Sequence, residues 1–96
     1  MELLITYDIS TIDNAGIRRL ARVAKVCESY GLRVQDSVFE CRISQSARLM
    51  LVAELSSIID PDLDSVYLYS FPGELRNVRQ TLGCAPTVSV EGPWIV

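Results

Sequence analysis

At 96 residues the chain makes a single domain, 1–96, and is too short for two. Its 49% apolar and 22% charged residues are an ordinary globular balance, which excludes a disordered chain, and no apolar run approaches the roughly 20 residues that span a membrane. A net charge of −3 excludes a uniformly basic surface, so any grip on nucleic acid has to come from a local cluster of cations.

From Glu2 to Ile9 the sequence ELLITYDI alternates, with Leu3, Ile5, Tyr7 and Ile9 apolar, and predicts a strand that ends on Asp8. Turn-rich residues 10–16 offer helix caps, and Ile17 to Tyr30 carries apolar residues at helical spacing, with Gly31 as its stop. In RVQDSVFECRI, residues 33–43, the alternation changes phase between Val34 and Phe39. This predicts two short strands, 33–35 and 38–43, separated by a break, turn or bulge near Gln35–Ser37. Ser44 to Ile59 reads as a second helix, capped by Ser44 or Ser46 and ended by Asp60-Pro61. Ser65 to Phe71 (SVYLYSF) is apolar on both faces, which predicts a central strand. A Pro-Gly turn and one short helical turn are expected over 72–83, with short terminal strands within 86–96.

This order predicts an α+β, ferredoxin-like βαββαβ fold: an antiparallel sheet with two helices on one face and an extra C-terminal strand. A protomer of this size buries roughly 60–65% of its unfolded surface, so pairing with a second copy is a natural way to bury more.

Five of the nine basic residues crowd into positions 18–33: Arg18, Arg19, Arg22, Lys25 and Arg33. Arg18, Arg22 and Lys25 share one helix face, spaced to neutralise phosphates or to form an ordinary solvated face with ion pairs. Asp8 is the sharpest single residue, since a carboxylate closing an apolar strand must be exposed, paired or metal-bound. The plain alternative is an Asp that caps the following turn. One carboxylate holds a divalent cation poorly, and a twofold dimer would supply the second. The chain has no His, so Ser-His-Asp and Cys-His schemes are excluded, and hydrolysis would need carboxylates and a metal-activated water. The three cysteines, Cys27, Cys41 and Cys84, form no CxxC pair; they exclude a structural zinc site and suit buried thiols in a reducing cytoplasm. No signal peptide is recognisable, so a cytoplasmic protein is expected. Gly-rich phosphate loops are absent, and Phe39 and the other aromatic residues fit core or interface positions better than base stacking.

Several segments carry a joint pattern. Thr6-Tyr7-Asp8-Ile9, RRLARVAKVCESYG at 18–31, RVQDSVFEC at 33–41 and DSVYLY at 64–69 stand in this order across most of residues 3–71. Together they resemble the second CRISPR-associated (Cas) protein family. The resemblance implies a homodimer with its sheets face to face and a terminal strand, from within 72–96, added to the partner's sheet. It implies that Asp8 is the magnesium-binding, catalytic aspartate, one from each subunit, with Tyr7, Ser37 and Phe39 in support. It places nucleic-acid backbone contacts on Arg18, Arg19, Arg22 and Arg33, and the shared helix face adds Lys25 to them. The implied work is CRISPR adaptation: holding the backbone of a protospacer duplex beside the Cas integrase subunit, with magnesium-dependent endonuclease activity on RNA or DNA. The residues alone leave two other readings open, an RNA-cleaving toxin of the same fold and a small-ligand regulatory dimer.

Overall fold

Apolar alternation draws Glu2–Asp8 into strand β1, and the rest of the sheet assembles on both sides of it. The computed structural model describes residues 1–84. The terminal strands expected within 86–96 lie outside the described residues. From β1 the chain passes through helix α1 (Asn14–Tyr30), strands β2 (Gly31–Gln35) and β3 (Val38–Arg42), helix α2 (Gln45–Ile58) and strand β4 (Ser65–Phe71). One 3-10 turn follows at Leu75–Asn77. The strands form an antiparallel sheet in the order β2-β3-β1-β4, the ferredoxin-like arrangement expected from the element order.

Both helices lie on one face of this sheet. Leu3, Ile5 and Tyr7 of β1, with Phe39 and Cys41 of β3, meet Val23, Cys27 and Tyr30 of α1 and Leu51, Leu55 and Ile58 of α2. The side chain of Asp13 caps α1 by accepting from the Gly16 N–H at 2.8 Å, so the helix begins before Ile17. Ser44 caps α2 in the same way through the Ala47 N–H, at 3.1 Å. Gly31 closes α1 and opens β2 without any loop; its φ of −166° is extended, and it is not a left-handed stop. Its missing side chain matters for another reason. A Cβ there would collide with the Glu40 carbonyl and the Cys41 sulfur of β3, so only glycine lets the helix end against the sheet.

The phase change within 33–43 is a bulge. Arg33 pairs with Phe39 and Gln35 with Val38, which leaves Val34 as the extra residue, and Asp36 and Ser37 form the turn. Arg33, in the last regular pair before the bulge, faces Phe39 directly and so lies on the same face of the sheet.

One expectation is corrected. Among the described residues β4 pairs only with β1, so it is an edge strand and not a central one. Its two apolar faces have separate causes. Val66 and Leu68 pack against the helix-side core, while Tyr67 and Tyr69 stand 59% and 48% exposed on the opposite, open face of the sheet. Past β4 the chain turns back across one end of that open face. The Leu75 N–H donates to Glu2 Oε1 at 2.7 Å, and Arg79 Nε donates to Glu40 Oε2 at 2.9 Å. This strap accounts for the burial of both glutamates. At the other end of β1, Asp8 is exposed, and no described residue crosses the sheet there as the strap does.

Candidate functional site

Asp8 is the last residue of β1 and pairs with Ser65 of β4. Strand alternation places its side chain with those of Leu4 and Thr6 on the open face, and it is exposed. Tyr67, opposite Thr6, flanks it on the same face. Among the described residues no three His, Cys, Asp or Glu side chains gather closely enough to hold a metal. At the end of β1 Asp8 presents a single carboxylate. That donor set fits magnesium only as a half-site, completed by waters, a phosphate oxygen and a second carboxylate from another copy.

The supporting residues meet just below Asp8. The Tyr7 N–H donates to the Ser37 carbonyl at 3.1 Å, and the Tyr7 hydroxyl donates to the Asp36 carbonyl at 3.2 Å, so the β2–β3 turn is pinned to β1. Ser37 acts here through its backbone. The Tyr7 and Phe39 rings lie 6.1 Å apart, and the Arg33 guanidinium lies over the Phe39 ring, 5.2 Å from its centroid. Phe39 is fully buried, as the core reading expected. Burial raises the Tyr7 phenol above its ordinary pKa, partly opposed by its hydrogen bond to Arg33. Arg33 also reaches Glu28 of α1, 3.5 Å away with both side chains half-exposed. An open groove of about 610 Å³ separates α1 from this cluster, lined by Ile17, Leu20, Tyr7, Arg33, Asp36 and Ser37.

The five candidate cations separate into three groups. Arg18, Arg22 and Lys25 are exposed on α1, and among the described residues no carboxylate lies within ion-pair distance of them. They form one outward ridge beside the groove. Arg33 lies across the groove, engaged with Phe39 and Glu28. Arg19 turns away from the ridge, because consecutive helical residues point roughly 100° apart. Its side chain is only 15% exposed, and its guanidinium bonds Asp64.

Asp64 is the residue that the sequence reading missed; it appeared only as the first residue of the DSVYLY segment. Its side chain is fully buried and accepts four hydrogen bonds. Arg19 Nε (2.7 Å) and the Asp60 N–H (2.8 Å) reach Oδ2; the Ser10 N–H (3.0 Å) and a second Arg19 nitrogen (3.4 Å) reach Oδ1. The available signal was a carboxylate immediately before an apolar strand, the same logic that singled out Asp8. Hydrogen bonding to Arg19 holds Asp64 down to about 2 from its ordinary 3.8, against the opposing effect of burial. The folded-state value lies below the unfolded one, so this stabilisation is complete above about pH 4 and is lost as pH falls towards 2. Thermal melts followed by circular dichroism should show Tm falling through that window, with a shallower fall in Asp64→Asn.

The cysteines take no part in this site. Burial pushes the Cys27 and Cys41 thiols up to about 12, which keeps them as inert core groups. Cys84 departs from the expected burial and is exposed. Among the described residues no helix is long and apolar enough to cross a membrane.

Fold and site together define a ferredoxin-like module with an exposed carboxylate on its open sheet face and a basic ridge on its first helix. Comparison with known proteins agrees. The family described as CRISPR associated protein Cas2 matches residues 1–77. A CRISPR-associated endoribonuclease Cas2 of Chlorobaculum tepidum is 48% identical over 96 residues, covering 100% of both chains. CRISPR-associated endoribonuclease Cas2 3 of Rhodospirillum rubrum is 42% identical over 94 residues, 98% of this chain and 99% of its own. The crystal structure of Streptococcus pyogenes Cas2 at pH 6.5 superposes with a TM-score of 0.79 at 41% identity, covering 86% of this chain and 100% of that one. The chain belongs to the CRISPR-associated Cas2 family.

Proposed function

We propose that the chain works in CRISPR adaptation as a homodimer that holds the backbone of a protospacer DNA duplex beside the Cas integrase subunit. We further propose that its two Asp8 carboxylates carry magnesium-dependent endonuclease chemistry. The observation that carries this reading is the half-built character of the Asp8 end of the sheet. One exposed carboxylate stands there beside exposed Tyr67 and Tyr69, and among the described residues no group of three acids or thiols gathers to hold a metal. A second copy laid face to face would cover the tyrosines and double the acid.

In this arrangement each chain contributes three things. Arg18, Arg22 and Lys25 neutralise phosphates and position the duplex without reading bases. The Tyr7–Asp36–Ser37 contacts hold the strand end rigid, so that Asp8 presents its oxygens at a fixed place. Asp8 ligates the cation. Magnesium, when bound, would lower the pKa of a water and offset charge on the scissile phosphate. That the relatives carry endoribonuclease names supports RNA as well as DNA among the substrates.

Two measurements test the adaptor reading. Sedimentation velocity should show a dimer at micromolar concentration, and duplex affinity should fall linearly in a plot of log K against log salt whatever the base sequence. A chain that stays monomeric at high concentration, and shows no salt-dependent affinity for duplex even with its integrase present, would end the proposal.

A further inference from the structure

We infer that Asp64 is a positioning residue for Asp8, the anchor that holds the corner between β1 and α1 so that the Asp8 carboxylate keeps one orientation on the open sheet face. The inference rests on the reading of Asp8 as the working carboxylate.

The corner is clamped from three sides. On one, β4 pairs Ser65 with Asp8, and the residue just before it, Asp64, accepts the Ser10 N–H at 3.0 Å. The same chain therefore grips β1 two residues past Asp8 as well as at Asp8 itself. On the second side, Arg19 of α1 reaches the same carboxylate, with Nε 2.7 Å from Oδ2, and ties the helix to the corner. The third side is Gly16, in the first turn of α1. A Cβ there would run into the Ser10 carbonyl, so the helix closes directly onto the loop. The Asp60 N–H, at 2.8 Å, fixes Asp64 from the end of α2. One buried carboxylate thus joins the exit of β1, the start of α1 and the α2–β4 turn. A catalytic or ligating group depends on support of this kind, because loose supporting residues leave the working group present but misaligned. The network also explains why Arg19 is not available to a phosphate. Its charge is engaged inside the fold by Asp64.

The test compares the wild-type chain with Asp64→Asn, Arg19→Lys and Asp8→Asn, all in the full-length protein. Two quantities are read: amide hydrogen exchange at Ser10 relative to Ile5 in the middle of β1, and the manganese concentration that gives half-maximal cleavage. In Asp64→Asn the Ser10-to-Ile5 exchange ratio should rise about tenfold or more. The manganese midpoint should rise about tenfold, while metal-free duplex affinity stays within about twofold. Arg19→Lys keeps the charge but loses the forked contact; it should move both quantities the same way by less, and it carries the test should Asp64→Asn not fold. An Asp64 that served stability alone would speed exchange at Ile5 and Ser10 together and leave the midpoint at its wild-type value, and that result overturns the inference. If Asp8→Asn cuts as fast as the wild type, the nuclease reading fails by itself, and the exchange ratio then decides whether Asp64 holds the corner.

Discussion

Asp8→Asn should lose metal-dependent phosphodiester cleavage by more than about a hundredfold while keeping its fold. The size follows from the donor count. Magnesium is held by hard oxygen donors, and no cluster of three or more ligating side chains stands among the described residues to take over from Asp8. In a dimer the substitution removes both Asp8 carboxylates at once. Changing a residue behind a metal ligand typically costs 10–100-fold, and losing the ligands themselves should exceed that. Stability should hardly move, because Asp8 is exposed and its backbone pairing with Ser65 does not involve the side chain. The measurement is cleavage of RNA and duplex DNA across a magnesium titration, with Tm and circular dichroism alongside. Cleavage at the wild-type rate would locate the activity elsewhere. Loss of cleavage with intact spacer acquisition would separate the adaptor from the nuclease.

The second large effect is expected from Arg18→Glu combined with Arg22→Glu. Both side chains are exposed and unpaired among the described residues, so their charge is free for phosphates. Each lost phosphate contact reduces the slope of log K against log salt by about 0.9, so the double change should flatten it by about two units per chain. Reversing the charge adds repulsion to the loss, and spacer acquisition in cells should cease. Fluorescence anisotropy on unrelated duplexes at several salt concentrations checks the slope, and all sequences should weaken alike, because phosphate contacts do not read bases. Unchanged acquisition in this double variant rejects the ridge as a duplex-binding surface. Arg19 is a poor companion in that experiment. Its removal would strand the buried Asp64 carboxylate and confuse binding with folding.

Much of the fold was legible because its signals are local. Alternation along 2–9 and helical spacing along 17–30 each follow from one element burying one face, and no knowledge of the partner element is needed. The phase change in 33–43 was legible for the same reason, and the structure resolves it as a bulge at Val34. The place of β4 was not legible. A strand apolar on both faces reads alike whether it is central or an edge awaiting a second copy, and only the pairing pattern tells them apart.

The candidate site divides along the same line. Asp8 stood out because a carboxylate at the end of an apolar strand is costly unless it has work or water, and the Arg-rich helix stood out by composition. Arg18 and Arg19 are neighbours in sequence and alike in chemistry, yet among the described residues one has no carboxylate partner and the other is bound to Asp64, 45 residues away. Nothing in the sequence pairs Arg19 with Asp64, or Glu40 with Arg79, because these partners come together only when the sheet and helices are packed.

By itself, then, the amino-acid order determined the elements, the helix-facing core, the family and the aspartate worth testing, since each depends on residues close together in the chain. Tertiary structure alone decided which cations face solvent, which acids are buried and which end of the open sheet stays bare. Electrostatic partners are chosen by distance in space, and that distance exists only after folding.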